Sequence, residues 1–595
     1  MVFMQHVLKA LTLEKSVEQN IQGKNFVWNV YTPTNLGPGL KVLQLIDTDT
    51  GVKLLTYVHD YRFQSIIAWS GARHSRSEKE SIEIIDEVLY QHSENIDADA
   101  KLARVYKAGH ASVADMSEIP LFLDHVPMHV PLLFFNQGVL NSGQEKSTRY
   151  QKGFKALTQG QSFQSIKGFA LTKNLLKSLE QKLESKELSL EELTVLKTSI
   201  QELLQLSTNL YEQAKTLFKN SFENFYKPTS DKEFKSLESR VLDSARYYLL
   251  LGNSTGFMFE TTARRFSKLV SLLKSSEIKF YNDLAISLEL LLAPPSSVEH
   301  DLNFKAGSPG LIKHTEQDKT FLQNINSLKN VLETQNFDLF ANVPIVYKFQ
   351  GLRDQEVKIV LNDETDKVIA QYIAFIWPGM NVNALLRWVE QLPRRVKTVF
   401  GSEILRNHDH HKELRQLART TSLSFIIQAS IGEIRDLNRH KSAGRFIQEM
   451  RFIQGSSLDY DTARQVVSKG YTLPLYAFMQ GFDHVKQEMI EGFEIYYEKL
   501  QALLEKLHGL AGDSISYDFI YELLPLAHVV NLWMHFTPDS LHYIVNLRVR
   551  PGGHVNYRQI AFEISESVKK AKPFFNSLQL QKPDLYNRQE FFSRD

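Results

Sequence analysis

The chain has 595 residues, 43% of them apolar and 23% charged, with 69 Lys and Arg against 68 Asp and Glu and no cysteine. That length predicts two or more cores, and the near-neutral charge gives no basis for a nucleic acid or an anionic membrane as the main partner. Without cysteine there is no disulfide framework, thiolate metal site or cysteine nucleophile, and no run reaches the ~18 apolar residues of a membrane span.

The N-terminal stretch "MVFMQHVLKALTLEKSVEQN" is amphipathic, with Lys and Glu too early for a signal peptide, so the chain reads as cytoplasmic. From about 25 to 75 the sequence alternates as strands do, in "FVWNVYT", "KVLQLIDTDTG" and "VKLLTYVHDYRFQSIIAWSG". A helix is predicted in "SEKESIEIIDEVLYQHSENI", where a Ser precedes a Glu by three positions. Residues 172–218 carry Leu and Ile at helical spacing around a turn at "SKELS", which predicts a helical hairpin inserted into the first domain. Pro, Ser and Gly gather in "LAPPSSVEHDLNFKAGSPGLIKH", which sets a linker at 296–318 between domains 1–295 and 319–595. Strand-like "VPIVYKFQG" and "VKIVLND" follow, then "VIAQYIAFIW" and helices to the end.

Both halves place strands before helices, which suggests a duplication. The segments 242–274 and 516–548 support it: each reads as an apolar helix, a polar break and a second apolar helix ending in Leu and a base.

In "SGQEKSTRY" (142–150), an extended backbone turns Glu145, Ser147 and Arg149 to one side. A carboxylate, a hydroxyl and a guanidinium there suit a nucleotide monophosphate, although the same nonapeptide also reads as a polar loop. In "IGEIRDLNRHKSAGR" (431–445), a helix places Arg435 and Arg439 on one face and Asp436 and His440 on the next. That pattern equally describes a solvated face with Glu433 and Asp436 neutralising the arginines. "NHDHHKE" (407–413) cannot aim its neighbouring side chains at one ion, so no metal site is expected.

"SGQEKSTRY" resembles the S-x-[NQ]-E-x-S-x-R-Y part of the signature of flavin-dependent thymidylate synthases, and "RDLNRHK" resembles its R-Q-x-x-R-H-R part. In that family the two parts are continuous; here each half keeps one. Where R-H-R is expected the first half reads "QGV" (137–139), and in the second half "RHK" is followed by "SAGRFIQ" with no S-x-R-Y. "GHASV" (109–113), "LDSAR" (242–246), "NLR" and "HVNYR" (546–558) are similar to further family segments.

The resemblance implies an α+β architecture of two homologous domains, each a small sheet with flanking helices. It also implies a homodimer that recreates the family's tetramer. It assigns dUMP binding to Glu145, Ser147, Arg149 and Arg246 from the first half and to Arg439 and Arg548 from the second, with Arg246 and Ser147 as catalytic residues. Lys274 and Tyr521 stand where arginines are lost, so one composite site between the halves is expected. FAD contacts fall on His110, Ser112, Arg265, Arg439, His440, Lys441 and His554. Asp436 replaces a nucleotide-contacting Gln. The implied reaction is reductive methylation of dUMP with methylenetetrahydrofolate and NADPH. The alternative is a non-catalytic relative that binds a nucleotide, a flavin or a protein partner.

Overall fold

The computed structural model describes residues 10–593 apart from 35–38, 60–62, 76, 94–97, 108–110, 138–140, 148–165, 305–308, 321, 324–325, 328–350, 354–355, 362–364, 377–381, 406–421, 441–442, 572–574 and 577. His110, Arg149, Lys441 and the 407–413 segment therefore lie outside the described residues.

The first half opens with strands β1 (Leu11–Ile21), β2 (Lys24–Pro33), β3 (Leu40–Asp47) and β4 (Lys53–His59). Alternation in β2 sends Phe26, Trp28 and Val30 inward, and β3 adds Leu43 and Leu45 beside them. Helices α1 (Phe63–His74), α2 (Ser81–Ser93) and α3 (Ala98–Lys107) follow. The strand expectation thus ends early: 63–74 is helical, burying Ser65, Ile66, Ala68 and Ala72, a spacing that alternation cannot produce. From Leu11 onward the amphipathic start is the edge strand β1, mostly exposed.

Next come β5 (Glu118–Pro127), α4 (His129–Phe135) and β6 (Asn141–Glu145), then the expected hairpin, α5 (Ala170–Glu184) and α6 (Leu190–Tyr226). A capping box of Ser189 and Glu192 starts α6, and Leu193, Leu196, Ile200, Leu203 and Leu204 form its buried stripe. Helix α7 (Asp231–Ala245), strand β7 (Ser254–Thr262) and helices α8 (Ala263–Ser275), α9 (Lys279–Leu292) and α10 (Ser296–Leu302) complete this half. The polar break expected within 242–274 is strand β7, which follows a turn at 251–252 and runs directly into α8. In the 296–318 stretch, α10 lies against β1, where Gln19 meets Ser297, and Gly310 N–H is held by Asp99 at 2.8 Å.

The second half contains β8 (Glu356–Leu361), α11 (Thr365–Ile376), α12 (Val382–Gln391), α13 (Arg394–Leu405), β9 (Leu423–Ser430), α14 (Ile431–Leu437) and β10 (Gly444–Ile447). It continues through α15 (Tyr460–Val467), α16 (Asp483–Ala511), α17 (Phe519–Leu523), β11 (Val529–Phe536), α18 (Pro538–Arg548), α19 (Val555–Ala571) and α20 (Arg588–Phe592).

The two sheets repeat each other. A seven-stranded sheet ends in the order β4-β5-β7-β6, and the four-stranded sheet runs β8-β9-β11-β10. Strand, short helix, strand, long helix, strand and helix recur in both, and Thr262 and Thr537 cap the equivalent helices α8 and α18. The halves join through reciprocal backbone bonds. Leu251 N–H donates to Leu524 O at 2.9 Å and Leu526 N–H to Leu249 O at 2.8 Å. Gly252 N–H donates to Glu522 O and Ala527 N–H to Tyr247 O in the same way. An approximate two-fold axis therefore passes between Leu250 and Pro525, with the long helices α6 and α16 beside it. The approach is close at Gly168, whose φ of +85° and 2.3 Å Cβ clearance from Gly252 O exclude any side chain. The protein is thus an α+β chain built on a repeated unit.

Candidate functional site

Helix α14 is the centre of the site. Ser430 caps it and Glu433 completes the capping box, so the chain turns sharply from β9 into a helix whose seven residues are all buried. Burial on every side forces its charges to find partners in the first half. Arg435 forms an ion pair with Glu145 at the end of β6, the two side chains 8% and 4% exposed. Asp436 pairs with Arg246 at 2.9 Å. Arg439, half-buried, reaches the other oxygen of Asp436 at 4.0 Å. The expected solvated face is therefore an internal seam, and Glu433 does not neutralise the arginines.

Arg548, at the end of α18, donates from Nε to His440 Nε2 at 2.5 Å. His440 is thus an acceptor at Nε2 and is neutral; burial, followed by Arg548, Arg445 and Arg439, holds its pKa well below the ordinary value. Arg445 binds the carbonyls of Asn438, His440 and Phe135, fixing the turn after α14 against the first half. Beneath this layer Tyr247 donates its hydroxyl to Glu433. Burial raises the Glu433 pKa to about 7, opposed by the Tyr247 bond and by Arg246.

The structure thus brings together Glu145, Arg246, Arg439, His440 and Arg548 from opposite halves, with half-buried Ser147 two residues beyond Glu145. Others lie elsewhere. Ser112 is exposed on a 3-10 turn (Ala111–Met116), and Arg265 is half-buried on α8; both sit at the opposite end of β7 from Phe257, which faces Glu145. His554 is buried, accepts from Asn556 N–H at Nδ1 and so donates from Nε2 to Asp243 O at 3.2 Å. It stacks on Tyr247 and is a support, not a lining residue.

Of the proposed flavin contacts, Arg439 fits an anionic group: its Nε, like that of neighbouring Arg445, is buried without a hydrogen-bond partner among the described residues. His554 does not fit, because both its nitrogens are committed.

Sequence reading missed Tyr247 and Arg445 and gave Glu433 a different role, because these roles depend on long-range contacts. It also missed Arg451. Ile447 pairs with Leu532 as Glu145 pairs with Phe257, so Arg451 and Phe452 stand four and five residues on, at the positions of Arg149 and Tyr150. The strand register, had it been known, would have found them. There the two-fold twin of the site is filled. Phe452 packs edge-on to Tyr521 and His129, and Arg451 is held by Thr462 and Ser456. Glu522, equivalent to Tyr247, accepts from Leu171 N–H, Thr172 N–H and the Thr172 hydroxyl, and from His129 at 3.3 Å. Helix α5 is anchored where a second site would open.

Among the described residues no helix is long and apolar enough to cross a membrane. Residues 359–574 match the family described as "Thymidylate synthase complementing protein". A UPF0159 protein of Chlamydia pneumoniae is 22% identical over 372 residues, covering 62% of each chain. One from Chlamydia muridarum is 24% identical over 351 residues, 58% of this chain and 57% of that one. The chain thus matches about three fifths of the length of these relatives. Among solved structures, a UMP/dUMP methylase PolB from Streptomyces cacaoi bound with 5-Br dUMP is 15% identical, with a TM-score of 0.28, covering 39% of this chain and all of that one. Asp436, Arg439, His440 and Arg548 all lie within residues 359–574, the segment that matches that family.

Proposed function

We propose that the protein is a thymidylate synthase-like enzyme that holds dUMP between its two halves and methylates it reductively, with FAD as cofactor and NADPH and methylenetetrahydrofolate as co-substrates. The observation that carries this reading is the convergence of Arg246 from the first half with Arg435, Arg439 and Arg548 of the family-matched segment on one seam. Guanidinium groups suit a phosphate because they are planar, permanently charged and bidentate. Arg439 and Arg548 flank neutral His440 and would hold the anionic parts of the ligands. Arg246, positioned by Asp436, would face the pyrimidine, and Ser147 would supply a hydroxyl beside it. FAD bound near Arg439 and His440 would supply the hydride chemistry. The filled twin position supports one composite site per chain and, with the repeated halves, a homodimer equivalent to four units.

The test is anaerobic: NADPH-reduced flavin on the purified protein should be reoxidised by dUMP plus methylenetetrahydrofolate. Arg548→Ala should abolish dUMP binding, and retained binding would overturn the assignment. A second reading, a non-catalytic nucleotide- or flavin-binding protein, is favoured by one observation. Arg246 and Arg435 are already paired with Asp436 and Glu145, so ligand has to compete with those carboxylates. Stoichiometric dUMP binding without flavin reoxidation would select it.

A further inference from the structure

The face of the seven-stranded sheet turned away from Arg435 carries a cluster that the seam does not use. Lys53 of β4 stands opposite Asp124 of β5, and Asp124 stands opposite Gly256 of β7. Lys146 follows β6, its N–H bonded to Gly256 O at 2.9 Å, and its Nζ is 2.5 Å from Asp124 Oδ1. These residues form one row across four strands. A Cβ at Gly256 would lie 2.4 Å from Asp124 Oδ1 and 2.9 Å from Lys146 Nζ, so the missing side chain is what lets the pair lie flat on the sheet.

At the end of the row β5 takes in one extra residue, His125, at φ +66°. A left-handed histidine is strained, and bulges of this kind re-aim side chains. Here the bulge brings His125 Nε2 to 3.2 Å from Lys167 Nζ. Strand β9, the counterpart of β5, pairs with β11 without any shift, so the device belongs to the first half alone.

The charge of the cluster is unbalanced. Lys167, Lys53 and Lys146 all act on His125, against the opposing charge of Asp124. Burial and then Lys167 and Lys53 lower the His125 pKa to about 4, so the ring is neutral, and burial and Lys53 lower that of Lys167. In the next row of the same face Leu55, Phe122 and Met258 are half-buried and Gln144 of β6 is exposed. Ammonium groups crowded beside one acid repel each other, and an anion of more than one charge relieves that repulsion.

We propose that this row is a binding site for a compact polyanion, of the pyrophosphate or polycarboxylate kind. The site is separate from the seam and does not depend on the function proposed for it.

Calorimetry on the full chain at low salt, with pyrophosphate in one arm and a short oligoglutamate in the other, tests it. Saturable binding of either is expected, and which one binds identifies the source of the charge. The double variant Lys53→Gln/Lys167→Gln should weaken binding by about tenfold or more, because two surface charges are lost without disturbing the core. Arg548→Ala, on the far side of the sheet, should leave it within about twofold. The proposal is overturned if neither anion saturates, if the double variant binds as the wild type does, or if Arg548→Ala removes binding.

Discussion

Glu145 and Arg435 form a buried ion pair that ties the end of β6 in the first half to α14 in the second. Removing one partner strands the other charge in the interior. Glu145→Gln should destabilise the chain by about 3–5 kcal/mol, whereas Glu145→Leu with Arg435→Met should recover most of the loss. Urea denaturation of the three proteins checks both statements. Equal stability of Glu145→Gln and wild type would show that the pair carries no structural weight.

Arg548 keeps His440 uncharged in two ways, by donating to Nε2 and by its own charge. Arg548→Ala should raise the His440 pKa, though burial, the largest cause, keeps it below the ordinary 6.5. Nitrogen NMR of the imidazole across a pH series measures this without reference to activity.

Glu433 has a folded-state pKa of about 7 against an ordinary 4.5. Between those values the folded chain binds more protons than the unfolded one, so stability falls as pH rises through that window. The loss from this group is on the order of 3 kcal/mol. Tyr247→Phe removes a bond to the charged form, which raises the pKa further and extends the decline to higher pH. Denaturation midpoints at several pH values, with and without the substitution, give the comparison; a flat profile in both would refute it.

Glu522 accepts three hydrogen bonds from the start of α5. Glu522→Ala should leave Leu171 and Thr172 unsatisfied, at about 1–3 kcal/mol for each buried group, and accelerate their amide exchange. Exchange unchanged at α5 would show that Glu522 does not anchor the hairpin.

Because Phe452, Tyr521 and His129 fill the twin position, dUMP should bind with a stoichiometry of one per chain. A calorimetric value of two would require that aromatic cluster to open.

Much of this architecture was legible from local pattern. The hairpin turn at 185–189 and the strands at 26–59 follow from periodicity and capping, which act within a few residues. The convergence of Glu145, Arg246 and the 435–440 segment followed from motif order in the two halves. What was not legible depends on register or on distant partners. A one-residue bulge at His125 hides the correspondence of β5 with β9, and the alignment of Arg451 with Arg149 appears only when β10 is paired with β11. Tyr247 carries no local signal of its role because its acceptor is 186 positions away.

The reciprocal bonds around Leu250 and Pro525 have a consequence for biosynthesis. While a ribosome is still translating toward Leu526, the emerging amino-terminal portion has Glu145, Arg246 and the edge at 249–252 exposed, with nothing to cover them. Maturation must then wait for late-made polypeptide, a long-range closure that is slow and leaves adhesive surface open to chaperones. Splitting the gene between α10 and β8 should yield two fragments that each misbehave alone and recover together.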